Sequence, residues 1–430
     1  MPGFDGREKN IVPLKSEVFY ISVISQKGDH VKMHTLPKVP VTEIKDRIAR
    51  FQSTLREKET DGALITQNID LYYLTGTMQN GVLYVPQKGE PCFYVKKSVT
   101  RAEFETALPV QPLGRLRELG GKIESTFGSV KRLGIEADVL PYGLARRYIS
   151  LFPGAEAADI SFDLRLQRAV KSEYELKQMR QAASHVKEIV ESLPEWIQEG
   201  KTELELSAKI EYTLRLKGSI GLFRMRGYNQ ELCLGMVASG SAAATPTYFD
   251  GPAGGLGAQL ASPQGASAKP IKAGEPILVD IATTVEGYLI DQTRLAVIGE
   301  LDSELKRAYD VAVSIIREAE RMGKPGVSWK SLYLRSLEMA EEAGLSEHFM
   351  GYGPDQAKFL GHGVGLEMDE LPVLAKGFDL PLQEGMVIAI EPKFTFPGRG
   401  VVGIENTYLV TKNGLESLTK APEEIIRISE

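Results

Sequence analysis

Two stretches of this chain set acidic side chains in the middle of apolar, strand-like runs, and that placement constrains its folding more than any other feature. The first is Ile277–Ile298, reading ILVDIATTVEGYLIDQTRLAVI. Two strand-like halves flank a turn around Val285-Glu286-Gly287, and Asp280 and Asp291 lie equally far from the Val285–Glu286 junction within it. A hairpin centred there sets the two carboxylates opposite one another, with Cβ atoms about 4.5–5.5 Å apart. The second stretch repeats the construction. The runs 387–396 and 401–411 flank Pro397-Gly398-Arg399-Gly400, and Glu391 and Glu405 are symmetric about Gly398. One acidic pair alone fits a solvated sheet face equally well. Here, however, Leu278-Val279 precede Asp280 and Ile388-Ala389-Ile390 precede Glu391. Burying four carboxylates without cations costs several kcal/mol each or forces protonation. The pattern therefore predicts cations between them.

His362 adds a nitrogen donor. It is one of only five histidines and sits in Gly361-His362-Gly363-Val364-Gly365. A satisfied core histidine is the competing reading, but flanking glycines point to backbone packed closely around a site. Four carboxylates and one imidazole form a hard, oxygen-rich set that suits Mn, Fe, Co or Zn. Four carboxylates neutralise two divalent ions. Two such ions about 3.5–4 Å apart share a hydroxide and polarise a substrate oxygen. Hydrolysis of an amide or ester is the chemistry this set predicts.

The 430 residues suit two domains rather than one. With 43% apolar and 25% charged residues, the chain has material for an ordinary core, so disorder is not expected over most of its length. The net charge of -6 and the lack of a dense Lys/Arg cluster argue against a nucleic-acid partner. Two cysteines, Cys92 and Cys233, exclude a disulfide framework and read as buried small residues. No apolar run reaches the roughly 18 residues needed to span a bilayer, and the first 30 residues lack a signal-type hydrophobic region. A cytoplasmic, reducing location and no membrane association are expected.

Residues 1–40 show no helical period and read as an extension, with Met33 as an alternative start. Thr42 is a candidate N-cap for a helix carrying Ile44, Ile48, Phe51 and Leu55 on one face. Strands are expected at 62–66, 71–74, 81–85, 92–95 and 132–136, and a helix at 142–151 stopped by Pro153-Gly154. A boundary falls near 160–171. Ser172 and Glu175 then have capping-box spacing ahead of a helical stripe, Leu176, Met179, Ala183, Val186, Val190 and Leu193, which Pro194 ends or kinks. Further helices are expected at 204–216, 303–322 and 329–343. The Gly/Ala/Ser/Pro-rich stretch 251–270 reads as a long loop without the spacing of a phosphate-binding motif.

With these residues in view, the chain resembles the metallopeptidase superfamily of Xaa-Pro aminopeptidase, prolidase, methionine aminopeptidase and creatinase, the pita-bread fold. The order and spacing of Asp280, Asp291, His362, Glu391 and Glu405 match that family's five metal ligands one by one. So do the segments VDIATTVEGYLIDQTR, FLGHGVGLE, EGMVIAIEP and GIENTYLVT. The resemblance implies an α/β (α+β) chain, with a creatinase-type N-terminal domain over 41–165 and a pita-bread catalytic domain over 166–430. It also implies a dinuclear divalent centre, Mn first with Co, Fe or Zn also compatible, and a homodimer. Glu391 would be the ligand that exchanges a proton with the attacking water.

Three positions depart from the family's pattern. Counting from Ala238-Ser239-Gly240, the usual Pro-His pair is Pro246-Thr247. The second histidine, seven residues after the first, is Asp369, and the arginine two residues before the final Glu is Gly403. Such groups contact substrate and stabilise developing charge, and losing a donor of that kind typically costs about 10²–10³ in rate. Asp369 is a candidate acid or base, or a partner for a substrate amine; a surface acid beside Glu370 is its plainer reading. His348 is a candidate to approach from the preceding loop. The leading expectation is a dinuclear metallohydrolase that cleaves the N-terminal peptide bond of short peptides, with Xaa-Pro substrates first. A small-molecule metal-dependent hydrolase or lyase on the same scaffold stays open as an alternative, as does a binding protein that has lost catalysis.

Overall fold

The computed structural model describes residues 36–232 and 235–429. The alternative start at Met33 and the thiol of Cys233 lie outside the described residues, whereas Cys92 is a buried free thiol. No helix among the described residues is long and apolar enough to cross a membrane.

The first helix, Val41–Glu57, begins one residue before the expected cap: Pro40 occupies the N-cap position and makes no side-chain capping bond. Its apolar stripe is as predicted, with Ile44, Ile48, Phe51 and Leu55 all buried. Behind it lies a six-stranded sheet whose order is Val110–Pro112, Cys92–Val95, Gly81–Pro86, Gly62–Ile65, Arg132–Ile135, Glu156–Asp159. Four of these are strands the sequence predicts. The expected strand at 71–74 is instead part of the helix Asn68–Thr75. The Gln67 side chain accepts hydrogen bonds from the backbone N–H groups of Ile69 and Asp70, and Gly76 closes the helix with φ 75°. An apolar run of four residues does not by itself distinguish strand from helix, and here the caps decide.

Ser172 and Glu175 form the predicted capping box at the head of helix Glu173–Trp196, with Pro194 in its last turn. Helices Glu203–Leu216, Ser303–Met322 and Trp329–Glu342 also stand where periodicity places them. Residues 251–270 form no helix or strand beyond isolated bridges.

Two sheets carry the site. One has the order Ile426–Ile428, Tyr288–Ile298, Ile277–Val285, Gly235–Ser239. The other has the order Glu370–Ala375, Phe359–Gly363, Val387–Ile390, Asn406–Thr411, Gly414–Ser417. A two-stranded ribbon, Lys393–Phe396 with Gly400–Gly403, continues from the second sheet. Thr407 pins the sheets together: its hydroxyl accepts from Asp291 N and donates to Asp291 O. Arg294 does the same from below, donating to the carbonyls of Thr293 and Glu405 and to Asn406.

A buried ion cluster ties the N-terminal third to the second sheet. Arg168 pairs with Asp70 at 2.7 Å, Glu367 at 2.8 Å and Glu370 at 2.5 Å. Lys171 adds a bond to Glu370 at 3.0 Å, and Arg226 bridges Asp70 and Asp138, both at 2.7 Å. Gln67 donates to Glu367 at 2.8 Å. Each of the four carboxylates contacts at least one of the three cations, and such pairing is the condition under which burial of these groups is tolerated.

Candidate metal centre

The first carboxylate pair is offset from the predicted arrangement. The turn of its hairpin is the two-residue Glu286-Gly287, with φ 49° and 85°, positive at both central positions as tight hairpins require. That centres the ladder one residue later than the Val285–Glu286 junction. Asp280 therefore faces Thr293, and Asp291 faces Ala282. Directly paired residues share a face, so both carboxylates still point to the same side, as diagonal rather than opposed neighbours.

The second pair keeps its symmetry. Val387–Ile390 pairs with Asn406–Thr411, and Lys393–Phe396 with Gly400–Gly403, in one continuous register about Gly398. Glu391 and Glu405 occupy the break between these two ladders. Their backbone N–H groups are released from the hairpin and donate elsewhere, Glu391 to Leu360 O and Glu405 to Thr293 O.

His362 lies on the inner strand Phe359–Gly363, between neighbours on both sides. A Cβ on Gly361 would collide with the carbonyl oxygen of Ala389, and one on Gly363 with that of Leu371, so the flanking glycines admit the adjoining strands. The His362 Nδ1 atom donates to Met368 O at 3.0 Å, which leaves Nε2 as the free lone pair. Nε2 is 3.6 Å from Glu391 Oε1.

All five predicted residues line one cavity of about 230 Å³, together with Asp369 and Lys393. Phe223, Met236, Phe249, Phe359, Met368 and Val373 make its apolar wall. Atoms of Asp291, His362 and Glu405 lie within 4.8 Å of one another, close enough to share one ion. Asp291 Oδ1 and Glu405 Oε1 are buried and have no hydrogen-bond partner. Two carboxylates that each keep an orphaned oxygen, clustered with an imidazole, are a donor set a divalent cation takes, so the residues fit the predicted metal. Burial raises the Asp291 carboxyl well above the usual carboxylate range, and the charges of Glu405 and Asp280 add to that. For His362, burial opposes the charged ring, but Asp369 and Glu391 outweigh it and raise its pKa.

Lys393 is a member of this cluster that sequence reasoning did not single out. It is fully buried, and its ammonium lies 2.6 Å from Glu391 Oε2, 3.2 Å from Asp280 Oδ2 and 3.2 Å from Glu405 Oε2. Burial works against its charge, but the three carboxylates reverse that and raise its pKa well above the ordinary value. Its signal in the sequence was a lysine two residues after Glu391 on an apolar strand. Lys393 also sits opposite one departure from the family pattern. Its ladder partner is Gly403, and a Cβ there would stand 2.6 Å from Lys393 Cγ and from Pro392 O. The cation expected at 403 is absent, and another arrives from the strand opposite.

The remaining candidates divide. The Asp369 carboxylate lines the cavity, 39% exposed, with Oδ1 3.5 Å from His362 Nδ1. Thr247 is outside the lining of this cavity and accepts a hydrogen bond from Phe249 N, which places the Phe249 ring on the wall. His348 is turned away: Nδ1 bonds Thr395 O at 2.8 Å, and the ring stacks on Phe396.

Comparison with known proteins agrees with this geometry. Residues 177–412 match the model of metallopeptidase family M24, and residues 47–170 match the creatinase/prolidase N-terminal domain. The Xaa-Pro dipeptidase of Pyrococcus horikoshii is 29% identical over 383 residues, covering 89% of this chain and 99% of the relative. The crystal structure of the prolidase from that organism superposes with a TM-score of 0.75, covering 89% of this chain and all of the other at 29% identity. An X-Pro aminopeptidase structure from Thermotoga maritima gives a TM-score of 0.72, at 25% identity, over 87% of this chain and 100% of that one. These matches favour a peptidase over a small-molecule lyase or a non-catalytic binder. A creatinase-type N-terminal domain precedes a pita-bread catalytic domain, and the chain belongs to metallopeptidase family M24, as a metal-dependent hydrolase of peptides.

Proposed function

We propose that this chain removes the N-terminal residue from short peptides, with proline second as the preferred sequence. The observation that carries the reading is the convergence of ligand atoms of Asp291, His362 and Glu405 within 4.8 Å in an apolar-walled cavity, the two carboxylates each keeping an oxygen without a partner. Asp291, His362, Glu391 and Glu405 would hold a divalent ion there, Mn first among Mn, Co, Fe and Zn. The sequence expectation of two ions uses Asp280 as a further ligand. Such an ion supplies Lewis acidity, making water a better nucleophile near neutral pH and polarising the scissile carbonyl.

The chain's own groups do the rest. Glu391 takes the proton of the attacking water and returns it to the leaving nitrogen. Asp369, at the cavity and partly exposed, receives the substrate's free ammonium group. The apolar wall of Phe223, Phe249 and Phe359 takes the ring of a second-position proline and excludes water. We place the domain boundary at residues 165/166 and the protein in the cytoplasm as a homodimer. Light scattering of the purified protein tests the last point, and a monomer would refute it.

The test of function is a panel of Xaa-Pro dipeptides, longer peptides with proline second, and non-proline peptides, each with Mn- and Co-loaded protein. Turnover of Xaa-Pro substrates is expected. Absence of peptide turnover with every metal would sink the reading.

A further inference from the structure

We propose that the Lys393 ammonium takes the place of one metal ion, so that the centre binds a single divalent cation at its Asp291–His362–Glu405 end. The inference rests on the metal-binding part of the reading above.

The geometry separates the cluster into two ends. At one end Lys393 Nζ has three carboxylate oxygens at 2.6, 3.2 and 3.2 Å, one from each of Glu391, Asp280 and Glu405. An ammonium has three N–H donors, and each finds one acceptor. At the other end Asp291 Oδ1 and Glu405 Oε1 have no partner, and His362 Nε2 is free. Glu405 is divided between the two, with Oε2 bonded to Lys393 and Thr293 and Oε1 left over. Carboxylate oxygens that would close around a second ion are thus already turned toward a fixed positive charge.

The lysine is built into this position. Glu391 stands in the break just before the ribbon and Lys393 is the ribbon's first residue, and their side chains meet at 2.6 Å. Gly403, directly opposite, leaves room for the lysine stem that any side chain there would remove. A second divalent ion would have to share Asp280 and Glu405 with an ammonium in a buried, poorly screened site, where like charges repel strongly. With one ion and one ammonium, the four carboxylates keep one negative charge in excess, the sign that suits a substrate carrying a free amine.

Metal content decides the question independently of turnover. Protein saturated with Mn(II) and freed of excess metal is analysed by elemental analysis, calorimetry and electron paramagnetic resonance. One ion per chain with an uncoupled Mn(II) spectrum is expected. Lys393→Ala is expected to raise the count to two, with a spin-coupled spectrum. A wild-type count of two overturns the proposal, whether or not the variant folds. A folded variant that stays at one ion also overturns it. A wild-type count of zero overturns the metal-dependent reading as well, whereas a count of one without peptide turnover leaves this proposal standing and removes only the substrate assignment.

Discussion

His362 Nδ1 meets two backbone carbonyls, Met368 O at 3.0 Å and Gly363 O at 3.2 Å, and through the shorter contact it is coupled to the residue beside Asp369. Removing outer partners of a metal-bound histidine typically costs about 10–100-fold in affinity or activity. Deleting the imidazole itself should cost more. His362→Ala and Asp291→Ala are expected to lose bound metal and peptide turnover together; full activity in either would refute their assignment. Asp369→Asn makes a narrower prediction. If the carboxylate binds the substrate ammonium, KM for free-amine peptides rises about tenfold, the scale of one charge-assisted hydrogen bond, while kcat changes little. A fall in kcat at constant KM would move Asp369 to proton transfer. At this scale the four carboxylates stood out because each interrupts an apolar run, and His362 because glycines flank it. Lys393 was not, since a single lysine on a strand reads as an edge residue until its surroundings are known. Gly403 read as a missing cation, and only the ladder shows it as half of an exchange.

Among the elements, the hairpin 277–298 shows where sequence symmetry stops being a guide. The strands and the shared face of Asp280 and Asp291 follow from alternation, but the partner of each is set by the turn. Glu286 and Gly287 both take positive φ, so the turn has two residues, not three. A substitution at Gly287 tests this. Its φ is 85°, and a Cβ would meet Leu366 Cδ2 at 3.4 Å, ordinary contact. Gly287→Ala should therefore cost about 1–2 kcal/mol from backbone strain alone, read as a shift in the denaturant midpoint without loss of bound metal. An unchanged midpoint would mean that the turn relaxes into another type. The helix at 68–75 is the complementary lesson. Its only local signals are the caps at Gln67 and Gly76, and Gln is not among the usual capping residues.

Across the whole molecule, the two-part order of the chain was readable from length, the capping box at Ser172 and the change of pattern near 165. The ion cluster that joins the parts was not. Asp70, Arg168, Arg226, Glu367 and Glu370 are scattered over 300 positions with no local pattern, and only folding assembles them. Burial alone would raise the Glu370 carboxyl, but Arg168 and Lys171 reverse that and bring it from 4.5 to about 2. Between those values the unfolded chain binds the proton more readily than the folded one. The stabilisation is therefore complete above about pH 4.5 and is lost as pH falls toward 2, on the order of 3 kcal/mol. Denaturant melts across that window should show wild type losing more stability than Glu370→Gln, and parallel losses would contradict the assignment. Arg168→Met leaves Asp70, Glu367 and Glu370 short of a cation and should cost about 3–5 kcal/mol.

The ladder pair 393 and 403 also filters mutation by size. A Cβ at 403 would stand 2.6 Å from Lys393 Cγ, 2.6 Å from Pro392 O and 2.7 Å from Lys393 Cα. Two of those three atoms are main chain, so trimming the lysine does not reopen 403 to a side chain. The ribbon itself keeps that position bare, and the positive charge reaches this part of the site from the strand that carries 393.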